Sequence, residues 1–325
     1  MSFAGIDISA KTFDLAIRSS GKSGKAQSFK QDPDGFSKAA KILLKKKSKL
    51  VVMEATGIYY LELAVFLVNA GLNVAVINPL SAKRFAELKL SQIKTDAADA
   101  TMLAEYGEVM KPALWTPPAP DHLALKDIGR QINRLTKDKV KAKNRLHALK
   151  SKTSIPILIE DLIDSIEMYQ RRIERLTQAA TDIICNDEKL ASIFRCFVAA
   201  KGVGPSSAIA ILAEFIVLPR DMKAKQVSRY SGLDVRQTQS GTSVNGASRI
   251  SKAGNAYLRS ALFMPAMSAV QHDPNAKKFK EKLVGRGKSK LQANVAVMRK
   301  YLTGLWAVYK EDQPFDSSKL FNFEL

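Results

Sequence analysis

Histidine and cysteine are scarce, with 3 and 2 in 325 residues. The three imidazoles (His122, His147, His272) are scattered, which argues against a His-based metal centre and against a Ser–His catalytic pair. Cys185 and Cys196 make neither a disulfide framework nor a zinc site. Their apolar neighbours predict buried thiols of a cytoplasmic protein. Acids are also in short supply: 31 Asp and Glu face 51 Lys and Arg, a net charge of +20. That imbalance points to a polyanionic partner, with nucleic acid ahead of an anionic membrane surface. No apolar run approaches the roughly 18 to 20 residues of a membrane-spanning helix, so no membrane role is expected. The N-terminus carries Asp7 and Asp14 and lacks the basic-then-apolar order of a signal peptide. At 46% hydrophobic residues the chain is not disordered by default, and its length allows two or three domains.

Residues 1–115 alternate strand and helix patterns. "FAGIDIS", "TFDLAIRS" and "KAQSFK" read as an antiparallel meander. "DGFSKAAKILLKK" has helical spacing, with Asp34 as its cap candidate. "SKLVVMEATG" is a buried strand ending at Glu54, and "YYLELAVFLVNAG" a helix closed by Gly71. "LNVAVINP" is a strand stopped by Pro79, and a further helix begins near Asp96. The order predicts an α/β domain with a mixed sheet, in which the meander is followed by parallel strands with helical crossovers. "WTPPAPDH" then breaks the pattern. Across 116–188 two heptad seams, Leu125 to Leu149 and Ile159 to Ile183, predict an antiparallel helical hairpin or coiled-coil arms. Residues 189–325 read as a mainly helical third region. From Gly241 to Lys310 it has 13 Lys and Arg against Asp273 and Glu281 alone, so it is the expected nucleic-acid face.

Three constellations carry candidate chemistry. Asp7 lies inside an apolar strand, where an acid is costly unless paired or bound to a cation. Glu54 ends another strand, and Asp96 and Asp99 share one face at a helix start. Four carboxylates from two strands and a helix suit one or two Mg²⁺ ions, which prefer oxygen ligands and can clamp a phosphodiester's attacking and leaving oxygens. Taken singly, each acid is an ordinary cap or surface charge. Second, "AKGVGPSS" places Lys201, Gly202 and Gly204 before a helix, like the turn of a helix-hairpin-helix element, where backbone N–H groups can dock a phosphate. A plain helix–helix turn has the same pattern. Third, "QTQSGTSVNGASRISKAG" (237–254) holds six hydroxyl side chains and no acid, and reads as a polar loop. Ser240, Ser243, Ser248 and Ser251 are equivalent by composition. Arg249, Lys252 and Arg259 are candidate clamps for a phosphate's developing charge.

The blocks "GIDISAKTFDLAI", "MEATGIYY", "VINPLSAKRFAELKLSQIKTDAADATMLAEYG" and "YSGLDVRQTQSGTSVNGASRISKAGNAYLRSALFMPAM" resemble, in order, the DEDD transposases of bacterial insertion sequences, the insertion-sequence-110 family. The resemblance implies a RuvC-like, RNase H-type domain, a coiled-coil linker and a C-terminal transposase domain. It puts the family's acids on Asp7, Glu54, Asp96 and Asp99 and its catalytic serine on Ser240. Lys201 departs from it, standing where many relatives have proline. The resemblance implies that Ser240 attacks a DNA phosphate and holds the strand as a phosphoserine ester, with Mg²⁺ on the acids completing a composite site. It further implies a structured guide RNA encoded by the element, DNA partners at the element ends and target, and a dimer or tetramer. A metal-dependent, structure-specific nuclease of RuvC type is the alternative, and a non-catalytic nucleic-acid-binding protein a third reading.

Overall fold

The computed structural model describes residues 2–55, 57, 59–89, 95–151, 155–240 and 244–321. The chain divides into two compact units, Met1–Pro117 and Pro118–Leu325. In the first, β1 (Ser2–Ile8) and β2 (Thr12–Ser19) pair antiparallel, and β3 (Lys22–Ser23) and β4 (Gln27–Lys30) both return along the outer edge of β2. There follow α1 (Pro33–Lys45), β5 (Ser48–Glu54), α2 (Tyr60–Asn69), β6 (Val74–Ile77), α3 (Pro79–Leu88) and α4 (Asp96–Met110). The sheet order is β3-β2-β1-β5-β6, with β1, β5 and β6 parallel. A meander followed by parallel strands is thus what forms.

Alternation along β1 divides its side chains between two faces. Ala4 and Ile6 enter one core with Phe36, Leu43, Leu63 and Leu67 of α1 and α2. Phe3 faces the other way and packs with Leu50, Val52 and Leu103, on the side covered by α4. Two local readings change. Asp32, not Asp34, caps α1 by accepting the Gly35 N–H at 2.8 Å, while Asp34 pairs with Lys38 on the first turn. Pro79 does not only stop β6; it opens α3, where its missing N–H costs nothing and Asn78 caps.

The second unit opens with two long helices, α5 (Pro120–Lys150) and α6 (Pro156–Cys185). They run antiparallel, with Lys139 donating to Gln170 at 2.7 Å. Leu125, Ile132, Ala180 and Ile184 of this pair enter the same core as the helices that follow. Those are α7 (Glu188–Ala199), α8 (Pro205–Phe215) and α9 (Ala224–Ser231), then the ribbon of β7 (Val235–Ser240) and β8 (Val244–Ile250). Helices α10 (Ala256–His272), α11 (Pro274–Gly285), α12 (Lys290–Glu311) and the short α13 (Ser317–Leu320) complete it. The buried rings of Phe197, Phe215, Trp306 and Tyr309 interlock at its centre, with Phe215 and Trp306 edge to face at 5.0 Å. Cys185 is exposed at the end of α6 and Cys196 is half-buried, so neither is the buried thiol expected. Among the described residues no helix is long and apolar enough to cross a membrane.

Candidate functional site

The acids of the first unit are brought together by three local features. The β1–β5 ladder runs in register to Ile6 and Met53, so Asp7 and Glu54 are the next residues on adjacent parallel strands, about 5 Å apart by sheet geometry. Both keep the parity of Phe3, Gly5, Leu50 and Val52, the face on which α4 lies. Gly5 then sets how closely α4 approaches. A Cβ there would stand 2.1 Å from the Ala100 carbonyl oxygen and 2.2 Å from the Ala104 nitrogen, so the helix rests directly on the strand backbone. Finally, Thr95 caps α4 by accepting from the Ala98 N–H at 3.2 Å, which fixes Asp96 and Asp99 in the first turn, one turn from that contact.

Toward its far end α4 is tied by charge. Arg18 of β2 donates to Glu108 at 2.5 Å and to Glu105 at 3.4 Å, and Lys89 reaches Glu105 at 2.8 Å. For Asp7, burial, then the charges of Asp99, Asp96 and Glu54, push the pKa up to about 6, against the opposing Ile8 N–H. The other three acids all act on this one carboxyl. Asp14 stands directly across the ladder from Asp7, a neighbour that reading along the chain did not connect with it. Alternation within the "IDIS" and "TFDLA" runs was the signal that could have paired them.

A hard divalent cation fits this donor set, which is oxygen-only and carries an electrostatic cost that a cation removes. As they stand, no three His, Cys, Asp or Glu side chains among the described residues are close enough to hold an ion.

In the second unit the stretch 237–254, expected as a loop, is mostly ribbon. Thr238, Gln239 and Ser240 register against Gly246, Asn245 and Val244, while residues 241–243, Ser243 among them, lie outside the described residues. Glycine and serine masked the strand signal, yet "DVRQTQS" and "VNGASRI" carry valine, threonine and isoleucine at strand spacing around a short connection. Ser240 ends β7 at the tip of the ribbon.

Arg249 stands exposed and directly opposite exposed Arg236, a like-charge cross-strand pair that sequence reading missed. Such a pair is unfavourable alone and becomes favourable when an anion lies between its members. Lys252 is exposed in a left-handed turn (φ 52°), its N–H bonded to the Gly232 carbonyl. Arg259 is committed elsewhere: its Nη1 donates to the carbonyls of Ser231 at 2.7 Å and Gly254 at 3.0 Å. Its guanidinium holds the root of the ribbon.

The turn before α8 also divides its roles. Gly202 (φ 91°) packs on α10, where a Cβ would meet the Pro265 carbonyl oxygen at 2.6 Å. The Lys201 carbonyl accepts from Tyr301 at 2.8 Å, leaving its exposed side chain to solvent. Gly204 has nothing within 4 Å of its Cβ position and precedes α8 without a side-chain cap, so its side of the turn is open.

Comparison with known proteins gives a consistent set. A family model named for the DEDD transposases of IS110 and described as "Transposase" matches residues 4–153. A second, "Transposase IS116/IS110/IS902 family", matches residues 195–281. The chain is 30% identical over 325 residues to the pilin gene-inverting protein of Moraxella lacunata, covering 97% of each. It is equally similar, over 321 residues, to the Moraxella bovis protein of the same name. A Streptomyces coelicolor protein of the insertion element IS110 is 23% identical over half of the chain. Among solved structures, Thermus thermophilus RuvC in complex with a Holliday junction substrate aligns over 35% of this chain and 99% of its own, with 15% identity and a TM-score of 0.29.

Proposed function

We infer the reaction from a plain premise: this chain belongs to the IS110 family of transposases. Enzymes of that kind cut DNA, and the reading here is a recombinase that excises and inserts its element by cleaving and rejoining strands. The observation that carries it is that Asp7 and Glu54 lie side by side on adjacent strands, on the face covered by α4 whose first turn bears Asp96 and Asp99, with the other three acids acting on the Asp7 carboxyl.

In this reading Asp7, Glu54, Asp96 and Asp99 hold Mg²⁺, and the family's RuvC-like, RNase H-type description applies to their sheet. When bound, the ion supplies positive charge to a phosphate's oxygens. The protein's own contribution is to aim the carboxylates: Gly5 lets α4 close on β1, Thr95 fixes the first turn, and Arg18 anchors the other end. Ser240 is the nucleophile. Its oxygen gives up its proton and forms a bond to phosphorus, the 3′ or 5′ oxygen of the cut strand leaves and takes up a proton to become a hydroxyl, and the phosphoserine ester keeps the bond energy for rejoining. Arg236 and Arg249, exposed and opposite each other across the ribbon, take phosphates of the same strand together with exposed Lys252. A structured RNA encoded by the element, pairing with donor and target DNA, and assembly as a dimer or tetramer complete the reading. The +20 charge accommodates both nucleic acids, and the site of action is the bacterial cytoplasm.

The direct test is strand cleavage of labelled element-end and target DNA with Mg²⁺ and the element's flanking RNA. Asp7→Asn and Glu54→Gln are expected to abolish cleavage while retaining DNA binding. Cleavage by either variant at the wild-type rate would remove the acids from catalysis.

A further inference from the structure

Glu214, near the end of α8, is 1% exposed. A carboxylate buried so far is tolerated only when its charge is matched and its lone pairs are filled. Arg130 of α5 donates to one oxygen from Nε at 2.6 Å and to the other from Nη2 at 2.9 Å, and Asn255 adds a bond to the second at 2.5 Å. Asn255 is itself a junction. Its Oδ1 accepts the Leu258 N–H at 3.0 Å and so caps α10, its Nδ2 also reaches the Tyr230 hydroxyl at 3.0 Å, and its backbone N–H donates to the Tyr230 carbonyl at 2.7 Å. One carboxylate thus joins α5, α8, α9 and the start of α10.

The ribbon is rooted in this junction. Entering β7, Asp234 accepts from the hydroxyl of Ser251, which leaves β8, and its carbonyl accepts the Ser251 N–H at 2.8 Å. Gly254 passes so close to α9 that a Cβ would lie 2.3 Å from the Tyr230 carbonyl oxygen. Arg259 clasps Ser231 and Gly254 together from the next turn of α10.

A buried ion pair is a poor source of stability, because apolar residues of equal volume usually serve as well or better. What a bidentate fork and a helix cap supply is direction. We propose that Glu214, with Arg130 and Asn255, is a positioning group that aims the β7–β8 ribbon, so that Ser240 at its tip is presented at one place. This rests on the reading of Ser240 as the nucleophile. Six residues of strand make a lever of about 20 Å. A tilt of about 5° at the root moves the tip by almost 2 Å, and a misplacement of about 1 Å can cost on the order of 100-fold in rate.

The experiment compares full-length wild type with Arg130→Met/Glu214→Leu, which replaces the pair by apolar side chains, and with Glu214→Gln, which keeps the shape and removes the charge. Thermal unfolding, DNA binding, cleavage rate and hydrogen exchange of the segment 230–256 are read on each. Expected for the double variant are near-wild-type melting and binding, exchange at Ser251, Lys252 and Asn255 about tenfold faster or more, and cleavage about 100-fold slower. Glu214→Gln is expected to lie between the two in exchange and rate. Wild-type exchange and wild-type cleavage in either variant would overturn the proposal, since the pair would then serve folding alone. Should the double variant fail to fold, Glu214→Gln decides by the same two readings. Exchange is measured without DNA, so it stands whatever Ser240 does; a Ser240→Ala protein that still joins strands would instead sink the nucleophile.

Discussion

Gly5→Ala is the sharpest perturbation of the acidic site, because it touches no acid. The added methyl would stand 2.1 Å from the Ala100 oxygen and 2.2 Å from the Ala104 nitrogen, against about 3.4 Å for ordinary contact. Both atoms belong to the α4 backbone, so no side chain can swing aside, and the helix must retreat by about 1.3 Å. Overpacking of this kind costs typically 1–3 kcal/mol, with the upper end expected where only backbone can yield. The retreat falls at the residue after Asp99 and one turn from Asp96. Gly107→Ala is the control: it lies toward the far end of α4 and meets side chains alone, Val52 at 2.8 Å with Leu50 and Phe3 at 3.8 Å. Thermal unfolding and strand cleavage, assayed well below either melting temperature, separate the effects. Gly5→Ala should lose cleavage by 100-fold or more while remaining folded, and Gly107→Ala should cost about 1 kcal/mol, the low end of that range, and keep most activity. Equal residual activity in the two variants would refute the claim that the α4 approach at Gly5 sets the site.

The other expectations concern charge. Asp7 has its folded pKa at about 6, above the unfolded value near 4, so the stabilisation from its proton is fully present below about pH 4 and is lost as pH rises from there through 6 in the ion-free protein. The loss by pH 7.5 is at most about 3 kcal/mol, and smaller for the part of the group open to water. With chelator present, Asp7→Asn should therefore melt higher than wild type at pH 7.5, with the gap closing as pH falls toward the unfolded value near 4; a gap that does not change with pH would contradict the shift. Replacing Arg236 and Arg249 together by Gln should lower the salt slope of duplex DNA binding by about 2, since each phosphate contact contributes about 0.9. A slope identical to wild type would take both arginines off the DNA.

What the sequence disclosed follows from which residues break local rules. Asp7 stood out because an acid in an apolar strand has to be explained, and the β1–β5 register then put Glu54 beside it. The helix bearing Asp96 and Asp99 was legible as one beginning near Asp96, and Thr95 caps it. Helix α3 was not, because Pro79 stops a strand and starts a helix with the same residue. The ribbon was hidden by glycine and serine, whose local preferences favour turns until a partner strand pairs them. Gly5 looked like any glycine, since only the tertiary contact reveals that its missing Cβ is needed. Glu214 could have been seen by the rule that found Asp7, as a lone acid closing the apolar run "AIAILAEF". Its partners could not, as Arg130 lies 84 residues away.

The central claim is that Ser240 becomes covalently joined to DNA. Wild type and Ser240→Ala should be incubated with labelled DNA, Mg²⁺ and the element's RNA, denatured, and run on a gel, with any retarded band digested and sequenced by mass spectrometry. The expected result is a protease-sensitive DNA adduct in wild type alone, with the phosphate on Ser240. Cleaved DNA without adduct in both proteins would contradict the account and leave a metal-dependent hydrolase whose ribbon only binds.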